Sequence, residues 1–490
     1  MRGVVAAGHP LTAEAGAQVL RAGGNAVDAA LAAMVTSFVC EPQLTGLGAG
    51  GYMLVAEPGA APALLDFFVA APGHGADPSA RAPLVPAEVF FEAAAQVFYV
   101  GAASCGVYGT PAGICEAHRR YATVPLADLV APAAALARAG VELNAQQAYI
   151  FALLEPITAS TPEARAKYWT GDRVAREGDV LADPELAATL ERLGAEGAEP
   201  FYTGDIARAA CELVAARGGM LTVEDLAGYE AIAREPIRVA YRGYDVFTNP
   251  PPSAGGILIA SVLAQLDREP GPPSQARLLA AMEGAHRART PEFMEGLDRP
   301  GFLDEFMASQ LGSTTHISVL DGDGRACAVT CTNGEGSGLV VPGTGVHLNN
   351  MMGEEDLSPL GFFRHPPGRR LPSMMAPTVV ARDGAVHLAL GSAGSNRIRS
   401  AILQVILGVI DRGLSLVGAV EAPRVHWEDG VVYAEPGVDA DALAGEGRTL
   451  APFKDLNVFF GGAQAVRRDP ATGELAGAGD PRRGGAVVSA

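Results

Sequence analysis

The hydrophobic periodicity of the chain changes from helical to strand-like near residue 314, and this change constrains the fold more than any other feature. Before it, apolar residues recur mainly at helical spacing, as over residues 11–22, 26–39 and 184–193. After it, short alternating strands dominate, beginning with residues 316–320, and one long helix is predicted at 397–412. A helix-rich half followed by a strand-rich half predicts an α+β fold whose helices and sheets pack in layers.

Capping residues mark the ends of several predicted elements. Gly23 is expected to end the first helix, Asn25 to cap the second, and Asp183 to cap the helix that begins at residue 184. Residues 237–248 are strand-like throughout. These local signals predict where elements begin and end before any long-range contact is considered.

Charge and composition exclude several classes of partner. The chain of 490 residues has 36 Lys and Arg against 55 Asp and Glu, a formal charge of −19. This balance argues against binding to nucleic acid or an anionic membrane surface, and it favours a small-molecule substrate. The glycine-rich turn at residues 45–51 precedes a strand and lacks the Lys-Ser/Thr of a P-loop, so we interpret it as close backbone packing.

Two features bear on the compartment. No apolar run reaches the roughly 18 residues of a membrane-spanning helix, and the start of the chain is broken at Gly8 and Pro10 before a signal-peptide core could form. The six cysteines show neither CxxC nor metal-finger spacing, which suits a reducing environment. We therefore expect a cytoplasmic protein whose cysteines are buried small residues.

A pair of threonines lies where the hydrophobic periodicity changes. Gly312 and Ser313 precede Thr314 and Thr315 at the start of a predicted strand. A threonine hydroxyl is a poor nucleophile, but a threonine at a chain terminus has its own base, because its α-amine titrates near 8 and lies within reach of its Oγ. An internal shift of the acyl group at Ser313 from nitrogen to oxygen would create that terminus. From the local pattern alone, two ordinary sheet threonines are the favoured interpretation.

Several segments, in order, resemble the gamma-glutamyltransferase family over almost the whole chain. They are AAGHPLTAEAG at residue 6, LRAGGNAVDAA at 20, PPPSAGG at 250, TTHISV at 314, LNNMM at 348, GSAG at 391 and AGDPRR at 478. The resemblance implies a four-layer αββα sandwich of the N-terminal-nucleophile hydrolase type. It also implies self-cleavage into a large subunit, residues 1–313, and a small subunit, residues 314–490, with no metal or organic cofactor.

The resemblance also implies a role for individual residues. Thr314 matches the nucleophile, and Thr332 matches a second threonine that holds the nucleophile's amine. Gly394 and Ser395 match paired glycines whose backbone N–H groups form the oxyanion hole. Four further residues match contacts to the two ends of the acyl group, with turn or strand-end chemistry as the alternative interpretation: Asn333, Glu335, Glu354 and Ser373.

One departure from the family concerns the substrate. The family binds the substrate carboxylate with an arginine, and Phe68 occupies that position here, followed by Val69 in place of a glutamate. Met351 and Met374 also stand where polar residues would. Three arginines of the loop between Glu354 and Ser373 could replace the missing carboxylate-binding arginine, but we interpret them as solvated surface residues: Arg364, Arg369 and Arg370. The acyl group is therefore predicted not to be glutamyl.

Four functions remain open on this evidence. The leading hypothesis is a self-processing threonine amidohydrolase or acyltransferase on a non-glutathione substrate of bacterial secondary metabolism, including antibiotic biosynthesis. The alternatives are a γ-glutamyl hydrolase or transpeptidase, a hydrolase that removes an oxalyl-type side chain by carbon–carbon cleavage, and an inactive scaffold. The expected partners are a small-molecule acyl substrate and the two subunits of one precursor, while a dimer of such heterodimers stays open.

Overall fold

The computed structural model describes residues 2–91, 94–287, 315–358, 361–439, 443 and 448–490. Thr314 and the predicted cleavage site therefore lie outside the described residues. The described helices are α1 Pro10–Ala22, α2 Ala26–Cys40, α3 Thr110–Tyr121, α4 Leu126–Ala139, α5 Ala145–Leu153, α6 Glu155–Thr158, α7 Pro162–Tyr168, α8 Pro184–Glu196, α9 Glu199–Tyr202, α10 Asp205–Ala216, α11 Val223–Ala227, α12 Ala254–Asp267, α13 Gln275–Arg287, α14 Ile398–Ile410 and α15 Leu416–Glu421.

Two antiparallel sheets form the centre of the molecule. The first has seven strands in the order β10 Ile232–Arg234, β3 Ala63–Phe67, β2 Gly50–Ala56, β14 Ala326–Thr332, β13 Thr315–Asp321, β1 Gly3–Ala7 and β24 Ala486–Ser489. The second has six strands in the order β11 Ile237–Tyr241, β12 Tyr244–Thr248, β17 Thr378–Arg382, β18 Ala385–Ala393, β22 Gly462–Arg468 and β23 Leu475–Gly479. The shorter sheets comprise β4 Val85–Phe91, β5 Ala94–Val100, β6 Val141–Glu142, β7 Trp169–Thr170, β8 Arg173–Val174, β9 Val180–Leu181, β15 Val340–Val341, β16 Val346–His347, β19 Val425–Glu428, β20 Val431–Ala434 and β21 Thr449–Pro452.

The side chains of β13 alternate between two buried layers. Ile317 and Val319 pack in the same apolar cluster as α1 and α2, whereas Leu320 packs in the cluster that joins the two sheets. This is the period-two alternation of a strand with both faces covered. The second sheet lies against β13 and β14 through β18 and is covered on its far side by α12, α14 and α15. The predicted αββα sandwich is therefore confirmed.

Helix α2 is buried on all sides and leads directly to the site. Its N-terminus is held by a capping box, in which the Asn25 side chain accepts from the backbone N–H groups of Val27 and Asp28, and the Asp28 carboxylate accepts from the Asn25 backbone. The first sheet covers one side, and α3 and α4 cover the other. Such a helix is apolar all round rather than amphipathic. It ends at Cys40, directly before the buried acid Glu41.

Most predicted elements match the structure to within a few residues, including the caps at Asn25 and Asp183 and the left-handed Gly23 that ends α1. The expectation of strand throughout residues 237–248 was wrong in one respect. The chain there forms two strands, β11 and β12, joined by a tight turn at Arg242 and Gly243 with φ of 50° and 77°. Among the described residues, no helix has both the length and the apolar composition needed to cross a membrane.

Candidate active site

The candidate site lies where β13 begins and β14 ends, at the centre of the first sheet. Thr315 is the ladder partner of Cys331, and Thr332 is the next residue of β14. The buried Thr332 hydroxyl accepts a hydrogen bond of 2.8 Å from the backbone N–H of Gly334. This bond uses a lone pair of the oxygen and leaves the hydroxyl proton available for donation. Thr332 therefore lies at the same end of the β13–β14 ladder as Thr315, the first residue of β13.

His316 lies on the face of β13 that is turned toward the second sheet. Its Nδ1 lies 2.8 Å from Thr330 Oγ1, and its Nε2 lies 2.9 Å from Ser318 Oγ. Burial lowers the pKa of His316 to about 3, so the ring is neutral near neutral pH and does not serve as an acid there. The ring also requires a glycine opposite, because a Cβ added to Gly391 of β18 would lie 2.3 Å from His316 Cε1.

The turn after β18 contains Gly394 and Ser395, the pair predicted to form the oxyanion hole, in an uncommon backbone conformation. Gly394 has φ of 119° and Ser395 has φ of 55°, both in the left-handed region that favours glycine. A Cβ on Gly394 would lie 2.5 Å from the Cα of Gly461, so this position has no room for a side chain. The turn runs through Arg397 into α14, where backbone N–H groups at a helix start favour negative charge.

The loop after Thr332 folds back on itself through asparagine side chains. The Asn350 Oδ1 accepts from the backbone N–H groups of Glu335 at 3.0 Å and Gly336 at 3.2 Å. Asn333 donates its backbone N–H to the carbonyl of Leu44 and its Nδ2 to the carbonyl of His347. Its buried Oδ1 has no donor within the described part of the chain. Asn333 is thus rigidly held, with one acceptor still available.

Glu354 lies close to the same loop. A Cβ built on Gly334 would come 2.2 Å from Glu354 Oε1, and Gly334 is the residue that donates its N–H to Thr332. The structure therefore brings together Thr332, Asn333 and Glu354, and half-buried Glu335 donates its backbone N–H within the same loop.

Ser373 lies on a neighbouring segment and has a structural task. Its carbonyl accepts from the N–H groups of Ala254 at 2.8 Å and Gly255 at 3.2 Å, which satisfies the start of α12, and its Oγ accepts from Met375 N at 3.0 Å. The segment is joined to the Phe68 region by the bond from Leu371 N to the carbonyl of Val69. Ser373 is thus linked to the Phe68 region through the backbone of its own segment.

Phe68 is buried beside the end of β14. Its ring stacks on Tyr52 with centroids 5.5 Å apart. Its carbonyl carbon lies 3.0 Å from the position of a Cβ on Gly50, and Gly50 is the ladder partner of Thr332. The ring belongs to the apolar cluster between the sheets, which also contains Met351 and Met374. The Phe68 segment therefore lies beside the ladder partner of Thr332 and contributes an apolar side chain to the layer between the sheets.

The interpretation of the loop arginines as surface residues was wrong for Arg370. Ala71 donates its backbone N–H to the Arg369 carbonyl, so the loop runs alongside the Phe68 segment and turns the next side chain inward. Arg370 is 8% exposed, lies 4.1 Å above the Tyr229 ring, and has its Nε 3.5 Å from Asp66 Oδ1. The buried Asp66 also binds Arg234 Nε at 2.6 Å. Arg364 is exposed as expected.

Sequence reasoning missed one charged residue at the site. Glu41 Oε1 accepts a hydrogen bond of 3.2 Å from Thr315 Oγ1, across 274 residues of sequence. Burial raises the pKa of Glu41 to about 7, while the Thr315 bond and the charge of Arg483 act in the opposite direction. The available signal was a lone acid that ends an apolar helix directly before a glycine-rich turn. Within the described ranges, no group of three or more His, Cys, Asp or Glu could hold a metal ion.

The fold and solved structures define an enzyme of the N-terminal-nucleophile hydrolase class. The chain superposes with a TM-score of 0.84 on cephalosporin acylase from Bacillus halodurans, at 28% identity over 99% of this chain and 95% of that one. It is 31% identical to the glutathione hydrolase proenzyme of Escherichia coli strain K12, over 98% of this chain and 90% of the relative.

A second relative, the acylase ACY 1 proenzyme of Pseudomonas sp. strain SE83, is 32% identical over 100% of this chain and 93% of its own length. The profile of the gamma-glutamyltranspeptidase family matches residues 12–295 and 301–490. The chain therefore belongs to the gamma-glutamyltranspeptidase family, and it is an enzyme of the hydrolase and acyltransferase kind.

Proposed function

We propose that this chain is a precursor that cuts itself between Ser313 and Thr314 and then acts as a threonine acyl hydrolase or acyltransferase. The products of the cut are the subunits 1–313 and 314–490. The observation that carries the proposal is the end of the β13–β14 ladder, where Thr315 pairs with Cys331 and the hydroxyl of the next residue, Thr332, has its proton to donate. Relatives described as proenzymes support the self-processing step.

In the proposed reaction, the free α-amine of Thr314 takes the proton from Thr314 Oγ as that oxygen attacks the carbonyl carbon of the substrate amide. The Thr332 hydroxyl orients the amine. The backbone N–H groups of Gly394 and Ser395 stabilise the negative charge that develops on the carbonyl oxygen. The proton then moves to the leaving amine, the C–N bond breaks, and an ester on Thr314 remains. Water, or an acceptor amine, attacks this ester and restores the enzyme.

The proposed acyl group is not γ-glutamyl. Phe68 supports this choice, because its backbone carbonyl carbon lies beside Gly50, the ladder partner of Thr332, and its apolar ring offers no hydrogen-bond donor to a carboxylate. Arg370 does not replace the missing carboxylate-binding arginine in this arrangement, since its guanidinium is already held by Asp66, Tyr229 and the Glu230 carbonyl. We assign the polar end of the substrate to four residues around the loop: Asn333, Glu335, Glu354 and Ser373. The acylase names of two relatives support an amide as the substrate, and we place this amide in bacterial secondary metabolism.

Denaturing gel electrophoresis with mass spectrometry tests the cleavage. The wild-type chain should give two fragments, the smaller beginning at Thr314, and Thr314→Ala should give one band. Thr314→Ser is the matched control, because it keeps a hydroxyl on a similar side chain and should still be cut. An uncut wild-type chain would contradict the enzymatic proposal and favour an inactive scaffold.

Substrate choice is tested on the processed protein. We expect faster release of amine from apolar acyl anilides than from γ-glutamyl anilide, because only the apolar acyl groups suit the apolar side chain of Phe68. Rapid hydrolysis of γ-glutamyl anilide by the wild-type enzyme would refute the proposed acyl specificity and leave the threonine mechanism intact.

A further inference from the structure

Glu41 is a buried acid that the reaction described above does not use. It follows the last residue of α2 and is 3% exposed. The carboxylate is pressed against the backbone after β1, since a Cβ on Gly8 would lie 2.3 Å from Glu41 Oε1. An acid in this position has been removed from water on every side, and removal of a carboxylate from water is costly unless its oxygens find partners.

The partners of Glu41 are few. Oε1 accepts from the Thr315 hydroxyl, and Oε2 has no hydrogen-bond donor within the described part of the chain. A buried carboxylate that is only half satisfied is unusual in a native protein and calls for an explanation. Its single bond reaches the residue that directly follows Thr314.

The charged and titratable groups around Glu41 come from three directions. Arg483, which follows β23, attracts its carboxylate, and burial lowers the pKa of Arg483 to about 10, aided by the charge of Arg397. Glu335 acts on Arg483 in the opposite sense. The adjacent Cys40 has its thiol pKa raised to about 12, mainly by burial, and stays neutral.

Thr315 and His316 hold the start of β13 on its two faces. His316 binds Thr330 in the layer between the sheets, whereas Thr315 binds Glu41 on the side of the helices. Consecutive residues of a strand point to opposite faces, so Thr315 ties the strand to the end of α2, whereas His316 ties it to β14 within the same sheet. These contacts anchor the first two residues of β13.

We propose that Glu41 is a positioning residue for self-cleavage before Thr314, because its carboxylate holds the Thr315 hydroxyl and thereby fixes the first residue of β13 against the end of α2. This inference rests on the proposed function. In the step concerned, Thr314 Oγ bonds to the carbonyl carbon of Ser313, the C–N bond breaks, and the hydroxyl proton moves to the released amine. Water then hydrolyses the ester. In this proposal Glu41 acts through Thr315.

The test follows the rate at which newly synthesised chain is cut, in a cell-free reaction sampled over time. Thr315→Val keeps the shape of the side chain and removes the hydroxyl, so cleavage should slow by about 100-fold, the scale of a small misplacement of reacting groups. Thr315→Ser should restore most of the rate. Thr36→Val is the matched control, since Thr36 is a buried threonine of α2 whose hydroxyl binds only the Ala32 carbonyl, and its cleavage should match wild type.

The pH profile separates positioning from simple structural support. Because burial raises the pKa of Glu41 to about 7, the wild-type rate should rise through that pH as the carboxylate ionises and its bond to Thr315 becomes charge-assisted. Glu41→Gln keeps an acceptor of the same size and should show a flat profile over this range. Arg483→Met removes the facing cation and should move the inflection to higher pH.

Two outcomes would overturn the role of Glu41: wild-type cleavage rates in folded Thr315→Val, or an unchanged inflection in Glu41→Gln. Thermal unfolding of each variant establishes that it is folded. A wild-type chain that is not cut before Thr314 would instead refute the proposed function, so the two failures are distinguishable.

Discussion

The neutral His316 makes a quantitative prediction about acid stability. Its ring is fully enclosed between the two sheets, and burial lowers its pKa from 6.5 to about 3. In the unfolded chain the same imidazole titrates near its ordinary value. Between these two pKa values the unfolded state binds a proton that the folded state does not, so acid pulls the equilibrium toward unfolding.

The sign and the size of the change in unfolding free energy follow from the difference between the pKa values of His316 in the folded and unfolded states. The stabilisation from keeping His316 neutral is fully present above pH 6.5 and is lost as the pH falls from 6.5 to about 3. Over the whole range the loss is about 5 kcal/mol, and at a pH of about 4.5 it is about 3 kcal/mol, since each pH unit corresponds to about 1.4 kcal/mol. His347, whose pKa is also lowered to about 3, adds a loss of the same sign.

The assay compares His316 with a side chain that does not titrate. Denaturant unfolding is measured at pH values of about 7.5 and 4.5 in the Thr314→Ala background, which keeps the chain in one piece, with and without His316→Gln. The glutamine variant is expected to have a lower free energy of unfolding than its parent at neutral pH. On acidification its free energy of unfolding should fall by about 3 kcal/mol less than that of the parent. His347 is present in both proteins and cancels. Equal losses in the two proteins would refute the assignment of a buried neutral His316.

Three further predictions concern the site. Phe68→Arg should raise γ-glutamyl anilide hydrolysis relative to apolar anilides by about tenfold or more in steady-state assays. It should lower the unfolding free energy by about 3 kcal/mol, because the ring stacked on Tyr52 is lost. An unchanged substrate preference would contradict the role of Phe68. Thr332→Val should lower kcat of the processed enzyme by about 100-fold, whereas Thr332→Ser should retain most of it. Gly391→Ala should destabilise the fold by about 1–3 kcal/mol in thermal unfolding, since its Cβ would meet the His316 ring.

Local chemistry explains why much of the fold could be predicted. Asn25 and Asp183 cap helices through bonds to backbone groups two or three residues away, so the sequence alone contains both partners. The layered αββα arrangement was predicted from the family resemblance and from the change of hydrophobic periodicity near residue 314. The turn at Arg242 and Gly243 was missed because a hairpin with two short strands has the same composition as one longer strand.

Long-range contacts explain what could not be predicted. The bond between Thr315 and Glu41 joins residues 274 positions apart, and no periodicity signals such a pair. Arg370 was misjudged for a related reason: in sequence it belongs to a polar loop, but that loop lies along the Phe68 segment and directs the guanidinium onto Tyr229 and Asp66. Thr332, Gly394 and Ser395 were identified only through the resemblance, since a strand-end threonine and a glycine turn are common features.

The positions of these residues in the first sheet separate the proposed reaction chemistry from the proposed substrate choice. The proposed chemistry lies on β13 and β14 at the centre of the sheet, where the His316 ring packs on Gly391 of the second sheet and a change disturbs the whole sandwich. Phe68 follows β3, one strand from the edge, and its contacts are with Tyr52 and the adjoining loop. Substitution there alters the segment beside the ladder partner of Thr332 without altering the ladder itself. A family built in this way can retain one threonine mechanism and change the acyl group on which it acts.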